Sequence, residues 1–292
     1  MQELVKAPDS VGLTEEQTLD PEALSADMLA RHRKSERNEK FFGAMRAFLP
    51  FVALIALWWG VHTIYDPSPT KLVAPDKVVD AFFESVREGV LPAYIVQSLQ
   101  RLGFGVIIGV VVGIPLGWLL GLDKEVAKAA EPTLRFFNAV SGIAWLPLMI
   151  SWFGFTERTI SSIIIYTMIF PVVFNTMVGV RTVSPVFRDA LRSMGASWPR
   201  IIKDVYIPGS FPSVMTGLRL GIGFGWRALI AGEFVVGGGG LGFFIFDART
   251  TGVIERVMLG MIVLGVLWLT IDRLVLRPVE EYTATKWGMV RQ

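Results

Sequence analysis

LGFGVIIGVVVGIPLGWLLGL, residues 102–122, is an uncharged run as long as the ~20 residues with which a helix crosses a bilayer. It decides the class of the chain, because a helix satisfies its own backbone hydrogen bonds and so tolerates lipid around such a run. Within it Gly105, Gly109, Gly113, Gly117 and Gly121 recur at every fourth position. A step of four residues turns only about 40° around a helix. The five glycines therefore form one slowly drifting ridge on which a second helix backbone approaches closely. The spacing predicts helix packing against protein, not a substrate site.

Hydropathy is blocked in the same way elsewhere. Uncharged runs occupy 47–65, 136–155 and 159–180; 212–236 is interrupted by Arg219, Arg227 and Glu233, and 257–271 is short. With 52% apolar residues, 18% charged residues and a mean hydropathy of +0.50, the expected fold is an all-α integral membrane protein with six transmembrane helices. The expected organisation is an N-terminal tail over 1–40 with a short helix at 21–34, a membrane domain over 41–276 and a C-terminal tail over 277–292. The first run follows a long polar stretch and precedes no small-x-small site, so it reads as an anchor and not as a cleaved signal. An amphipathic helix is expected at 76–88, after the prolines at 67, 69 and 75. Pro147 and Pro171 interrupt the third and fourth runs and predict bends there.

Lys and Arg divide unequally between the two sides of such a bundle. One side collects the basic cluster from Arg31 to Arg46, then Lys124, Lys128 and Arg135, the basic loop at 181–208, and the C-terminal tail. The other receives only Lys71, Lys77, Arg87, Arg101, Arg158, Arg249 and Arg256. By the positive-inside rule both termini and that basic loop are cytoplasmic.

The loop between the fourth and fifth runs has a spacing of its own. Asp189-Ala190-Leu191 is followed after three residues by Gly195, and nine residues later by Val205-Tyr206-Ile207-Pro208. Ser184 and Pro185 fit the cap and first position of a short amphipathic helix over 185–194, and a second short helix is expected over 198–206. Gly195 permits a tight reversal between them. Arg181, Arg188, Arg192, Arg200 and Lys203 against two acids offer charge to a soluble partner.

Several chemistries are excluded. Cysteine is absent and the two histidines, His32 and His62, sit in no carboxylate cluster, so neither a thiolate metal site nor a metal or acid-base constellation around histidine can be assembled. Gly237 to Gly240 reads as an extracytoplasmic reversal, with 243–246 able to re-enter the membrane surface. No Lys-Ser or Lys-Thr follows it, and no phosphate-cradling Gly-x4-Gly-Lys-Ser/Thr loop occurs anywhere. The net charge of +2 carries no nucleic-acid signature.

The 189–208 spacing resembles the ATPase-docking signature of the membrane subunits of ATP-binding-cassette importers. Ser98-Leu99-x-Arg101, Ile114-Pro115-Leu116-Gly117, Trp145-Leu146-Pro147-Leu148, Trp152-Phe153-Gly154, Gly217-Leu218-Arg219 and Gly240-Leu241-Gly242-Phe243 narrow the resemblance to the nitrate/sulfonate/taurine/bicarbonate permease family of type I importers, over residues 58–277. It implies a permease subunit in a bacterial inner membrane, surrounded by lipid, that imports a small anion by alternating access. It also implies a second copy of the chain, two ATPase subunits that hold ATP and Mg, and an extracytoplasmic solute-binding protein, with no cofactor or catalysis in this chain. Docking is implied for Asp189, Ala190, Leu191, Gly195, Val205, Ile207 and Pro208; Asp189 and Leu191 stand where the family pattern has glutamate and alanine. A secondary transporter or channel is the alternative, but no inverted repeat is evident and the docking loop would have no purpose.

Polar groups within the runs are the candidates for the pathway, since a charge facing lipid costs about 2.5–3.5 kcal/mol on insertion scales. Arg219 and Arg227, eight residues apart, lie about 12 Å apart along a helix. Arg227 either attracts an anion or pairs structurally with Glu233 or with a second subunit. Arg219 reads as structural. Asn138, Ser141, Tyr166 and Asn175 are further lining candidates.

Overall fold

The computed structural model describes residues 49–65, 67–68 and 70–280. The expected helix at 21–34, the whole of the tail over 1–40 and the last residues of the C-terminal tail lie outside them. All regular structure among the described residues is helical. Leu49–Tyr65 (α1) is an apolar helix of 17 residues and forms a unit separate from the rest.

The other unit begins with α2 (Pro75–Arg87), which Pro75 opens at its first turn. Its buried face is Val78, Ala81 and Ser85, and Arg256 ties it to the last helix through Glu88 at 2.9 Å. α3 (Val90–Leu122) is three turns longer than the apolar run and carries Ser98 and Arg101 inside a helix, not in a loop. α6 (Glu157–Thr182) packs against both α3 and α9 (Ile207–Val236). It is the centre of the unit: 56% of its apolar window is buried, against 28% for α3 and 28% for the last helix, α11 (Ile254–Ile271).

The glycine ridge explains the α3–α6 contact. Gly105 meets Ile164, Gly109 meets Met168, Gly113 meets Val172, Gly117 meets Thr176 and Gly121 meets Val180. Both helices advance four residues per contact, so they run parallel with matched ridges. A Cβ on Gly117 would stand 2.5 Å from Cβ of Thr176 and 2.8 Å from the Val173 carbonyl oxygen, which leaves no room for any side chain.

The third apolar run is not one helix. α4 (Lys124–Ala139) starts at Asp123, whose carboxylate accepts the backbone N–H groups of Glu125 and Val126, an N-cap. It ends at Ala139, and the chain turns by 83° before a 3₁₀ turn, Gly142–Trp145, and α5 (Leu146–Phe153). Pro147 lies in the first turn of α5, where its missing N–H leaves no bond broken, so it opens a helix where a mid-span kink was expected. Ala127 of α4 packs with Leu120, Val173 and Met177, which fixes the first arm of the break against α3 and α6.

α7 (Pro185–Ser193) and α8 (Trp198–Ile201) follow. The second helix expected over 198–206 is not separate: Ile202–Tyr206 is a π-turn that feeds directly into α9. A second π-turn, Asp272–Leu276, carries α11 on, so that the helix runs unbroken over Ile254–Glu280. Helix therefore takes in the first four residues, 277–280, of the expected C-terminal tail. Each π-turn ends two residues before a proline, Pro208 or Pro278; proline lacks the N–H for residue i−4 and crowds that carbonyl, and a widened turn relieves both. α10 (Leu241–Thr250) follows α9 after Gly237 to Gly240, with a 43° bend. Among the described residues three helices are long and apolar enough to cross a bilayer, and up to five crossings result if each bent pair counts as one.

Candidate functional site

The break between α4 and α5 opens a cavity of about 400 Å³. Asn138 from the end of α4, Ser141 from the break, Tyr166 and Phe170 from α6, and Phe224 and Arg227 from α9 all line it. Four of the candidate pathway residues, scattered over 90 positions of sequence, are thus brought together. The Tyr166 hydroxyl donates to the Phe137 carbonyl, and its ring lies 5.1 Å from Phe170 and 5.4 Å from Trp145. The neighbouring Thr167 hydroxyl donates to the Ile163 carbonyl at 2.8 Å. Arg227 lies over the Phe224 ring, 5.9 Å from its centroid, a cation–π distance. It carries no ion pair among the described residues.

The remaining candidates lie elsewhere. Arg219 bonds Asp272 at 2.7 Å and Glu280 at 3.1 Å, joining α9 to the end of the last helix. Asn175 donates to the Pro171 carbonyl of its own helix at 2.8 Å. Glu233 is fully buried and faces α3, not Arg227.

Around Glu233 is a cluster whose partners are not evident from the sequence. Its carboxylate accepts from Ser98 at 2.8 and 2.9 Å, from Arg101 Nη1 at 2.8 Å and from the Gly242 N–H at 2.9 Å. Ser98 in turn accepts the Leu241 N–H at 2.9 Å. Gly240, the N-cap of α10, has no side chain, so Ser98 and Glu233 cap that helix from α3 and α9. Arg101 also donates to the Gly239 carbonyl and to Glu157 at the start of α6. Gly240 has φ +91°, and a Cβ there would collide with the Glu233 carboxylate, so glycine is required twice over. The available signal was Ser98 and Arg101 three residues apart, on one face of a helix.

The loop at α7 exposes its side chains. Met194, Gly195 and Ala196 close the helix: the Ala196 N–H donates to Leu191 O and the Gly195 N–H to Arg192 O, each at 3.0 Å, with Gly195 at φ +78°. This is a Schellman ending. Gly195 has nothing within 4 Å of a Cβ, so the demand for glycine is conformational, not spatial. Ser184 occupies the N-cap position but its side chain caps nothing; Pro185 at the helix start holds the entry. Asp189 is bonded to Arg188 Nε at 2.8 Å, and that bond and charge hold its carboxyl below the usual range. Val186, Phe187, Met194 and Trp198 are exposed on this surface, among Arg188, Arg192 and Arg200. Ala190 accepts the Met194 N–H. Val205 lies in the π-turn, and Ile207 and Pro208 begin α9.

A family model described as "Binding-protein-dependent transport system inner membrane component" matches residues 105–276. The taurine transport system permease protein TauC of Escherichia coli (strain K12) is 33% identical over 220 residues, 73% of this chain and 80% of that protein. The nitrate import permease protein NrtB of Synechocystis sp. is 30% identical over 255 residues, 84% and 92% of the two chains. The bicarbonate transport system permease protein CmpB of Synechococcus elongatus is 32% identical over 181 residues, 62% of this chain and 65% of that protein. A solved inward facing structure of the MetNI methionine ABC transporter superposes with a TM-score of 0.57 at 18% identity, over 68% of this chain and 97% of that chain; it shares the fold.

Proposed function

This chain belongs to the family of binding-protein-dependent transport system inner membrane components, and we propose that it is the permease subunit of an ATP-driven importer of a small anionic solute. Two copies form the pathway, each docks one ATPase subunit that holds ATP and Mg, and an extracytoplasmic binding protein delivers the solute. The pathway opens alternately to the two sides of a bacterial inner membrane. We count six crossings: α1, α3, the broken α4–α5 pair, α6, α9 with α10 as a bent end, and α11. Both termini are then cytoplasmic, with the transmembrane domain over 41–276 and the coupling loop over 181–208.

The observation that carries this reading is the α7 corner. A short helix closed by a left-handed glycine, with Val186, Phe187 and Met194 exposed beside three arginines, is a preformed plug for an apolar groove with an acidic rim. Asp189, Ala190, Leu191 and Gly195 build the plug, and Val205, Ile207 and Pro208 join it to α9. Arg227, Asn138, Ser141 and Tyr166 are assigned to the pathway. Arg219, Glu233 and Asn175 are assigned to holding helices together.

The test is reconstitution with the ATPase and binding-protein partners in liposomes. ATP-dependent uptake that disappears when the ATPase is omitted is expected. Uptake that continues at the same rate without ATPase or ATP would replace this reading with a secondary transporter or channel.

A further inference from the structure

We propose that the cavity at the α4–α5 break selects an organic anion with one negative charge, an apolar body and no ammonium group. The proposal rests on the importer reading above and goes beyond it by narrowing the solute. Arg227 carries the only formal charge among the residues that line the cavity, and none of those residues is an acid. A zwitterion would bring an ammonium group into a site with no counter-charge, where partial desolvation penalises it.

Hydrogen-bond donors are few. The side-chain protons of Tyr166 and Thr167 are committed to backbone carbonyls, which leaves as side-chain donors the Arg227 guanidinium, the Asn138 amide and the Ser141 hydroxyl, beside the N–H groups that open the 3₁₀ turn at Gly142. Nitrate or bicarbonate would exchange a complete hydration shell for this incomplete set of donors and for the faces of Phe170 and Phe224. A carboxylate or sulfonate on a hydrocarbon body uses both kinds of wall. Its oxygens take the forked guanidinium, and its body removes apolar surface from water against the aromatic rings. Arg227 already lies over Phe224, so head and body contacts are contiguous.

The experiment uses the full-length chain in nanodiscs and titration calorimetry at fixed ionic strength, with benzenesulfonate, benzoate, taurine and nitrate as probes. Benzenesulfonate or benzoate is expected to bind at least tenfold more tightly than taurine or nitrate. Arg227→Ala is expected to weaken that binding at least tenfold and Arg227→Lys by less, both variants remaining monodisperse; Phe170→Leu is expected to weaken the aromatic probes and leave nitrate unchanged. Equal or tighter binding of taurine or nitrate, or benzenesulfonate binding indifferent to Arg227→Ala, overturns the proposal. Uptake by the assembled transporter separates the two levels. ATP-dependent uptake of taurine or nitrate that is intact in Arg227→Ala removes the cavity assignment and keeps the importer, whereas ATP-independent uptake removes the importer and this proposal with it.

Discussion

Replacing Arg101 with Met is expected to cost the folded chain about 3–5 kcal/mol, the range for removing one partner of a buried ion pair. The magnitude rests on which of its two carboxylates matters. Glu157 is 66% exposed, and an ion pair at that exposure contributes about 0–1 kcal/mol. Glu233 is 0% exposed, so without Arg101 it remains a buried charge with only Ser98 and the Gly242 N–H as donors. The Gly239 carbonyl loses its donor at the same time. Nearly all the loss should therefore come from the inner pair. Glu157→Gln should cost less than about 1 kcal/mol, and the double variant Arg101→Met/Glu233→Gln should recover about 2 kcal/mol or more of the single-variant loss, because no unpaired charge is left. Equilibrium unfolding in mixed micelles, followed by circular dichroism, measures all four chains. An Arg101→Met variant within about 1 kcal/mol of wild type, or a double variant no more stable than Arg101→Met, would refute the reasoning.

Gly117→Ala should destabilise the α3–α6 contact by about 1–3 kcal/mol through overpacking against Thr176 and the Val173 carbonyl; Gly103→Ala on the same helix, with open space at its Cβ, should be neutral or slightly stabilising, and equal thermal shifts for the two would contradict the ridge. Gly195→Leu should leave membrane insertion intact but reduce ATPase co-purification and transport severalfold, since a branched side chain at φ +78° strains the Schellman ending, and Gly195→Asn should retain most of both. Normal co-purification and transport in the leucine variant would remove the docking assignment. The purified chain, free of any partner subunit, should hydrolyse no ATP in a phosphate-release assay, because it has no phosphate-cradling loop; turnover by that preparation would count against the permease reading.

Some features were legible in the sequence because their causes are local. The apolar runs, the glycine at every fourth position of 105–121 and the Gly195 corner each follow from the chemistry of a few adjacent residues: hydration of side chains, the pitch of a helix, and the freedom of glycine at positive φ. The third run shows where this reasoning stops. Residues 136–155 carry no charge, and hydropathy alone does not register the 83° turn near residues 140–141, because the first arm of the break, α4, begins outside that run at Lys124 and is amphipathic, with only its last turn inside the run. Arg219, Arg227 and Glu233 share one apolar run, yet one bonds the end of the last helix, one lines a cavity and one is buried against Arg101, 132 residues away. Their positions around the helix were computable from the period. Which neighbour each face meets depends on how α3, α6 and α9 pack, and that packing is set by the summed shape of residues far apart in the chain, so only the tertiary structure decided which charges are paired and which one is left to face the cavity.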